Sequence, residues 1–157
     1  MLSKESIAKI DYELTKYPAD KRQAAVMSAL RIVQTERGWL SKESMTEVAD
    51  YLRIPEIAAM EVATFYNMYD LEPVGKYKIS ICTNISCMLR DSDSIVNHLQ
   101  TKLGVGFNEV TPDGKFCLKE GECMGACGGA PLFIVNNHTM HEFLTVDKVD
   151  TILDALE

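Results

Sequence analysis

The hydrophobic period of the chain changes once, at Leu71-Glu72-Pro73-Val74-Gly75, and that change limits what can fold on either side. Before it, apolar residues recur only at helical spacing. Ile7, Ile10 and Leu14 form a stripe ended by Tyr17-Pro18. Val26, Leu30 and Val33 form a second, running up to Gly38, with Asp20-Lys21-Arg22-Gln23 as its expected capping box. Ser41 is the expected cap of a third helix, whose apolar face is Met45, Val48, Ala49 and Leu52. Pro55 suits the first turn of a fourth, running through Ile57, Met60 and Thr64 towards Tyr69. Four short amphipathic helices with short connections predict a small bundle over residues 1–72, its methionines and aromatics packed inside.

Beyond the break the period drops to two. Tyr77, Ile79 and Ile81 alternate with Lys76, Lys78 and Ser80, the pattern of a half-buried strand. Asp93 or Ser94 starts a helix carrying Ile95, Leu99 and Leu103, closed by Gly104. Pro112-Asp113-Gly114 is a turn, with strands expected at 115–122 and 132–135. Asn136-Asn137-His138 turns into a fourth strand near 140–143, and Thr145 caps a last helix with Val146, Val149, Leu153 and Leu156 on its face. The expectation is an α+β protein, a helical bundle followed by an α/β domain over residues 73–157.

This map places two cysteine pairs, C-T-N-I-S-C at 82–87 and C-M-G-A-C at 123–127, in loops at strand ends. Neighbouring strand ends can bring four sulfurs to one edge of a sheet. The second loop is rich in glycine, which lets backbone N–H groups aim at a negatively charged site. Compartment and count decide against disulfides. The N-terminus has neither a secretory apolar segment nor a transit-peptide bias, which predicts a reducing compartment, and the five cysteines are odd in number. A dithiol redox enzyme would want C-x-x-C, which is absent. Zinc accepts four thiolates at such spacings, and so does a [2Fe–2S] cluster, whose two irons suit the wider x4 and x3 loops; both remain open on spacing alone. Cys117 fits a small apolar strand residue, and His98, His138 and His141 lack ligand spacing to any cysteine.

Other classes are excluded. With a net charge of −7 and no basic cluster, the chain is unsuited to nucleic acid or to unaided adhesion on anionic lipid. No apolar run approaches the roughly 18 residues of a membrane span. Gly104-Val105-Gly106 lacks the third glycine and the preceding strand of a dinucleotide fingerprint, and no nucleophile–base set stands out.

CTNISCMLRDSDSI followed by TPDGKF and GECMGACGGAP resembles the thioredoxin-like [2Fe–2S] ferredoxins, and within them the E-subunit branch of respiratory NADH:quinone oxidoreductase (complex I). ALRIVQTERGWLS and EVATFYNMY resemble the helical extension of that branch. The resemblance implies a thioredoxin-like domain holding a [2Fe–2S] cluster on Cys82, Cys87, Cys123 and Cys127, one pair to each iron. It implies a non-catalytic electron-carrier subunit beside a partner that binds NADH and FMN, with other peripheral-arm iron–sulfur subunits nearby. The helical bundle is then the expected docking element. The location implied is cytoplasmic, on the inner membrane only through the complex. A soluble NAD-linked hydrogenase or formate dehydrogenase would use the same module, and an interaction protein stabilised by zinc on the four cysteines is the third reading. Glycine-loop N–H groups would raise the cluster's potential, and burial among Met88, Leu89 and Met124 would lower it.

Overall fold

Two serines start helices in the N-terminal half. Ser3 and Ser41 accept from the N–H groups of Ser6 and Ser44, capping α1 (Lys4–Leu14) and α3 (Lys42–Leu52). Between them α2 (Val26–Arg37) is closed by Gly38, whose φ of 85° and N–H bond to Gln34 O terminate the helix. The capping box at Asp20 does not form. The Lys21 N–H closes a turn on Pro18 O, and Arg22–Ala25 wind as a 3-10 turn that feeds α2 without a side-chain cap. The Arg22 guanidinium is engaged instead with the carbonyls of Tyr51 and Leu52 at the end of α3.

These elements belong to a computed structural model that describes residues 1–156 and divides into two compact units, Met1–Pro73 and a second from Val74 onward. In the first, α4 (Glu56–Phe65) begins just after Pro55, which occupies the cap rather than the first turn. The helix stops at Phe65, with Tyr66 extended, short of Tyr69. Its buried face is also not the expected one. Ala58, Ala59 and Ala63 face inward, while Ile57 is 60% exposed and Thr64 is exposed. Small residues let α4 pack closely on α2 and α3, so size rather than hydrophobicity selects the face. Ile10, Leu30, Val33, Leu40, Val48 and Leu52 fill the core. Gln34, itself buried, donates to Met68 O and accepts from the Asp70 N–H, which fixes the chain after α4.

The second unit is a five-stranded mixed sheet in the order β2-β3-β1-β4-β5. The central strand β1 (Tyr77–Ile81) runs parallel to β3 (Phe116–Glu120) and antiparallel to β4 (Phe133–Val135). β1 is not half-buried: Lys78 and Ser80 are 3% and 8% exposed, because a central strand loses solvent on both faces. The edges are β2 (Glu109–Val110), too short to be read from the sequence, and β5 (Thr139–His141). The β4–β5 turn is carried by Asn136 and Asn137, both at positive φ (52° and 57°), as a tight hairpin turn requires. After β1 come a single helical turn, α5 (Ile85–Met88), and the longer α6 (Ser92–Leu103). α6 starts at Ser92 rather than Asp93 or Ser94, behind an Asp91 at φ 67° that gives no side-chain cap. Thr145 caps α7 (Val146–Ala155) by accepting from the Lys148 N–H. Ile95 and Leu99 of α6, with Val149 and Leu153 of α7, pack with Ile79, Ile81, Leu118 and Phe133 of the sheet. Asp150 joins the two helices, bonded to His98 Nε2 at 2.7 Å and Lys102 Nζ at 2.9 Å. The architecture is α+β, and among the described residues no helix is long and apolar enough to cross a membrane.

Candidate metal centre

Parallel pairing sets where the site lies. Ile81 is in register with Glu120, so β1 and β3 end together, and antiparallel β4 begins at the same edge, with Phe133 opposite Ile81. Cys82 follows β1 directly, Gly121 to Cys123 follow β3, and the segment from Cys127 to Leu132 leads into β4. Cys82, Cys123 and Cys127 therefore lie on segments beyond one end of the three central strands, the end where open α/β sheets place their ligands, and Cys87 follows five residues after Cys82 on α5.

Hydrogen bonds lock the loops to that edge. Gly121 N–H donates to Ile81 O at 2.7 Å, and Cys82 N–H donates to Leu132 O at 3.1 Å. The Cys82 thiol donates to Glu122 O at 3.3 Å, and the Thr83 hydroxyl to Glu120 Oε1 at 2.8 Å. Gly121 packs closely: a Cβ there would overlap Met124 Cε and meet the Ile81 carbonyl oxygen at 3.1 Å. Gly125, at φ 71°, turns the second loop between its cysteines. Cys87 returns to the edge through α5, where Asn84 O accepts from the N–H groups of Cys87 and Met88.

Cys82 and Cys87 are buried in a small apolar nest with Ala130 and Leu132, against which Met124 and Ala126 pack. Burial first, then the hydrogen-bonded Cys82 thiol, push the Cys87 thiol up to about 11; the Leu132 backbone opposes the rise, and Cys127 is close enough to add to it. Cys123 and Cys127 are exposed on the glycine loop. The structure thus brings Cys82 and Cys87 into contact with Cys127 near them, while Cys123 stays in solvent. Among the described residues no three Cys, His, Asp or Glu side chains are already grouped as ligands of a metal ion. The donor set nonetheless fits an iron–sulfur centre: four soft sulfurs at one edge, two in a dry nest, two on a loop with open space around Gly125 and Gly128.

Other expected features fall elsewhere. Met88 and Leu89 are 50% and 82% exposed, so of the three side chains expected to bury the site only Met124 packs there. Met88 ends α5 and Leu89 follows it. Cys117 is buried within β3, opposite Lys78. His98 is bonded to Asp150, and His141 lies edge-on to Phe133, its pKa lowered by burial; His138 is exposed in the β4–β5 turn. Sequence reasoning missed α5, for which Asn84 was the available signal, and the Thr83–Glu120 bond, which only strand register discloses.

A mixed sheet with cysteine-bearing segments beyond one end of its central strands is a scaffold suited to a thiolate-held metal centre. The chain belongs to the thioredoxin-like [2Fe-2S] ferredoxin family, whose profile matches residues 10–157. It is 43% identical to the E-subunit of the NADH-quinone oxidoreductase of Rickettsia conorii over 145 residues, spanning 92% of this chain and 86% of that one. It is 37% identical to NADH-quinone oxidoreductase subunit 2 of Thermus thermophilus, spanning 94% and 81%. The structure of an air-oxidised NAD+-reducing [NiFe]-hydrogenase shares the fold, with a TM-score of 0.72 at 18% identity over 89% of this chain and 24% of that chain. The family settles the choice left open by spacing: the cofactor is a [2Fe–2S] cluster, not zinc.

Proposed function

We propose that this chain is the [2Fe–2S] electron-carrier subunit of an NADH-quinone oxidoreductase, with Cys82, Cys87, Cys123 and Cys127 as ligands. The observation that carries the reading is the arrival of both cysteine loops at one edge of the sheet, through the Ile81–Glu120 and Ile81–Phe133 registers. Identity of 43% to the Rickettsia conorii protein over nearly the whole chain supports the assembly named. When bound, the cluster supplies a one-electron relay. Cys82 and Cys87 would supply one pair of thiolates to it, and Cys123 and Cys127 the other. Ligation would take the proton from each sulfur, including the one Cys82 donates to Glu122 O. The apolar nest of Ala130 and Leu132 excludes water from the first pair.

The chain is non-catalytic in this reading, and NADH and FMN belong to a partner subunit beside the cluster. The bundle over residues 1–72 docks that partner, since the second unit already contains every ligand. The cluster acts as a reservoir beside the main path to quinone, and the subunit stays on the cytoplasmic side of the membrane through the complex. The hydrogenase likeness, at 18% identity, supports the fold and does not favour a hydrogenase over this assembly.

Absorbance, low-temperature EPR and metal analysis of the anaerobically purified protein, before and after dithionite, test the proposal. Two irons and a spin-half signal on reduction, both lost in Cys127→Ser, are expected. A colourless protein retaining one zinc overturns it.

A further inference from the structure

Three bonds tie the end of β1 and the loop after it to the end of β3 and the loop after it, and ligation affects them differently. The Gly121 N–H bond to Ile81 O, 2.7 Å, is backbone and fixed by strand register. The Cys82 thiol bond to Glu122 O, 3.3 Å, exists only while the sulfur carries hydrogen, and a metal-bound cysteine has none to donate. The third runs from Thr83 Oγ1 to Glu120 Oε1 at 2.8 Å. It joins the residue directly after Cys82 to a residue three before Cys123, and involves no sulfur. Among the side-chain bonds described between these loops, it is the one that ligation leaves intact.

Its acceptor is a carboxylate. A charged acceptor makes a hydrogen bond roughly twice as strong as a neutral one, which suits a tie between solvent-accessible side chains. It also sets a negative charge beside a site whose bound form is itself anionic, and such a charge opposes the addition of an electron. We propose that Thr83 and Glu120 are positioning residues of the cluster. Their bond holds the loop after β1 against the end of β3, where the second ligand loop starts, and the Glu120 charge holds the reduction potential down. This inference rests on the assignment of Cys82 and Cys123 as ligands.

Four variants of the full chain separate the two roles. Thr83→Ser keeps the donor and Thr83→Val removes it; Glu120→Gln keeps an acceptor without charge and Glu120→Ala removes both. Cluster release to an iron chelator should be about fivefold faster than wild type in Thr83→Val and Glu120→Ala, the effect of one ordinary hydrogen bond between accessible side chains, near wild type in Thr83→Ser and intermediate in Glu120→Gln, which keeps the acceptor without its charge. The midpoint potential, read by EPR in a dye-mediated titration of whatever fraction carries cluster, should rise in both Glu120 variants and stay unchanged in Thr83→Ser. Unchanged release from Thr83→Val would remove the tie, and a wild-type midpoint in Glu120→Gln would remove the charge effect. A wild-type chain without a two-iron cluster overturns the proposed function and this inference together; a wild-type cluster indifferent to all four variants overturns this inference alone.

Discussion

Cys87 shows how burial sets the chemistry of a single thiol. A thiol held near 11 remains protonated at neutral pH, and a protonated, buried thiol is a poor nucleophile. In the cluster-free chain, iodoacetamide near neutral pH should therefore modify the exposed Cys123 and Cys127 before the buried Cys87 and Cys117, an order that peptide mass spectrometry reads directly. Gly121 is as constrained sterically as Cys87 is electrostatically. A methyl group there displaces Met124, which can move, but also presses on the Ile81 carbonyl, which cannot. Gly121→Ala should lower the stability of the second unit by about 1–3 kcal/mol in thermal melts, the usual cost of overpacking. The four cysteines were legible as candidate ligands because thiol spacing is a local property. Which of them meet in the folded chain was not, since that follows from pairings among three strands.

At the scale of elements, the sequence disclosed what local chemistry decides. Ser41, Gly38, Gly104 and Thr145 end or begin helices as their side chains and backbone freedom dictate. It misled where packing decides. α4 turned its alanines inward although Ile57 is the more hydrophobic, and β1 hid Lys78 and Ser80 because two strands flank it. α5 and β2 were missed because a single helical turn and a two-residue strand carry too little pattern to register. The contact between α6 and α7 gives a test with a definite sign. The hydrogen bond from His98, and then that from Lys102, hold the Asp150 carboxyl below its ordinary 3.8. A depressed acid contributes stability that is fully present above the ordinary value and lost as pH falls through it and below. Asp150→Asn should therefore melt lower than wild type at about pH 6, and the two curves should converge towards about pH 3. A gap in melting temperature that is the same at both ends would disprove the linkage.

For the whole molecule, the change of period at 71–75 coincides with the passage from one compact unit to the next. Residues 71–73 are exposed, and Phe65 and Tyr66 just before them are exposed aromatics. Brief chymotrypsin treatment should cut first within residues 65–76, leaving a fragment with both cysteine pairs, as mass spectrometry of the products would show. Early cuts inside the sheet unit would mean that the two halves do not withstand proteolysis separately. The strand order has a consequence for how such a chain is made. β1, at the middle of the sheet, is synthesised before both of its neighbours, and Cys82 leaves the ribosome well ahead of Val135 at the end of β4. At ordinary translation speeds that interval is roughly 3–10 s. For that time the first two thiols exist without the two strands that flank β1 in the finished sheet, exposed to whatever reacts with a free thiol.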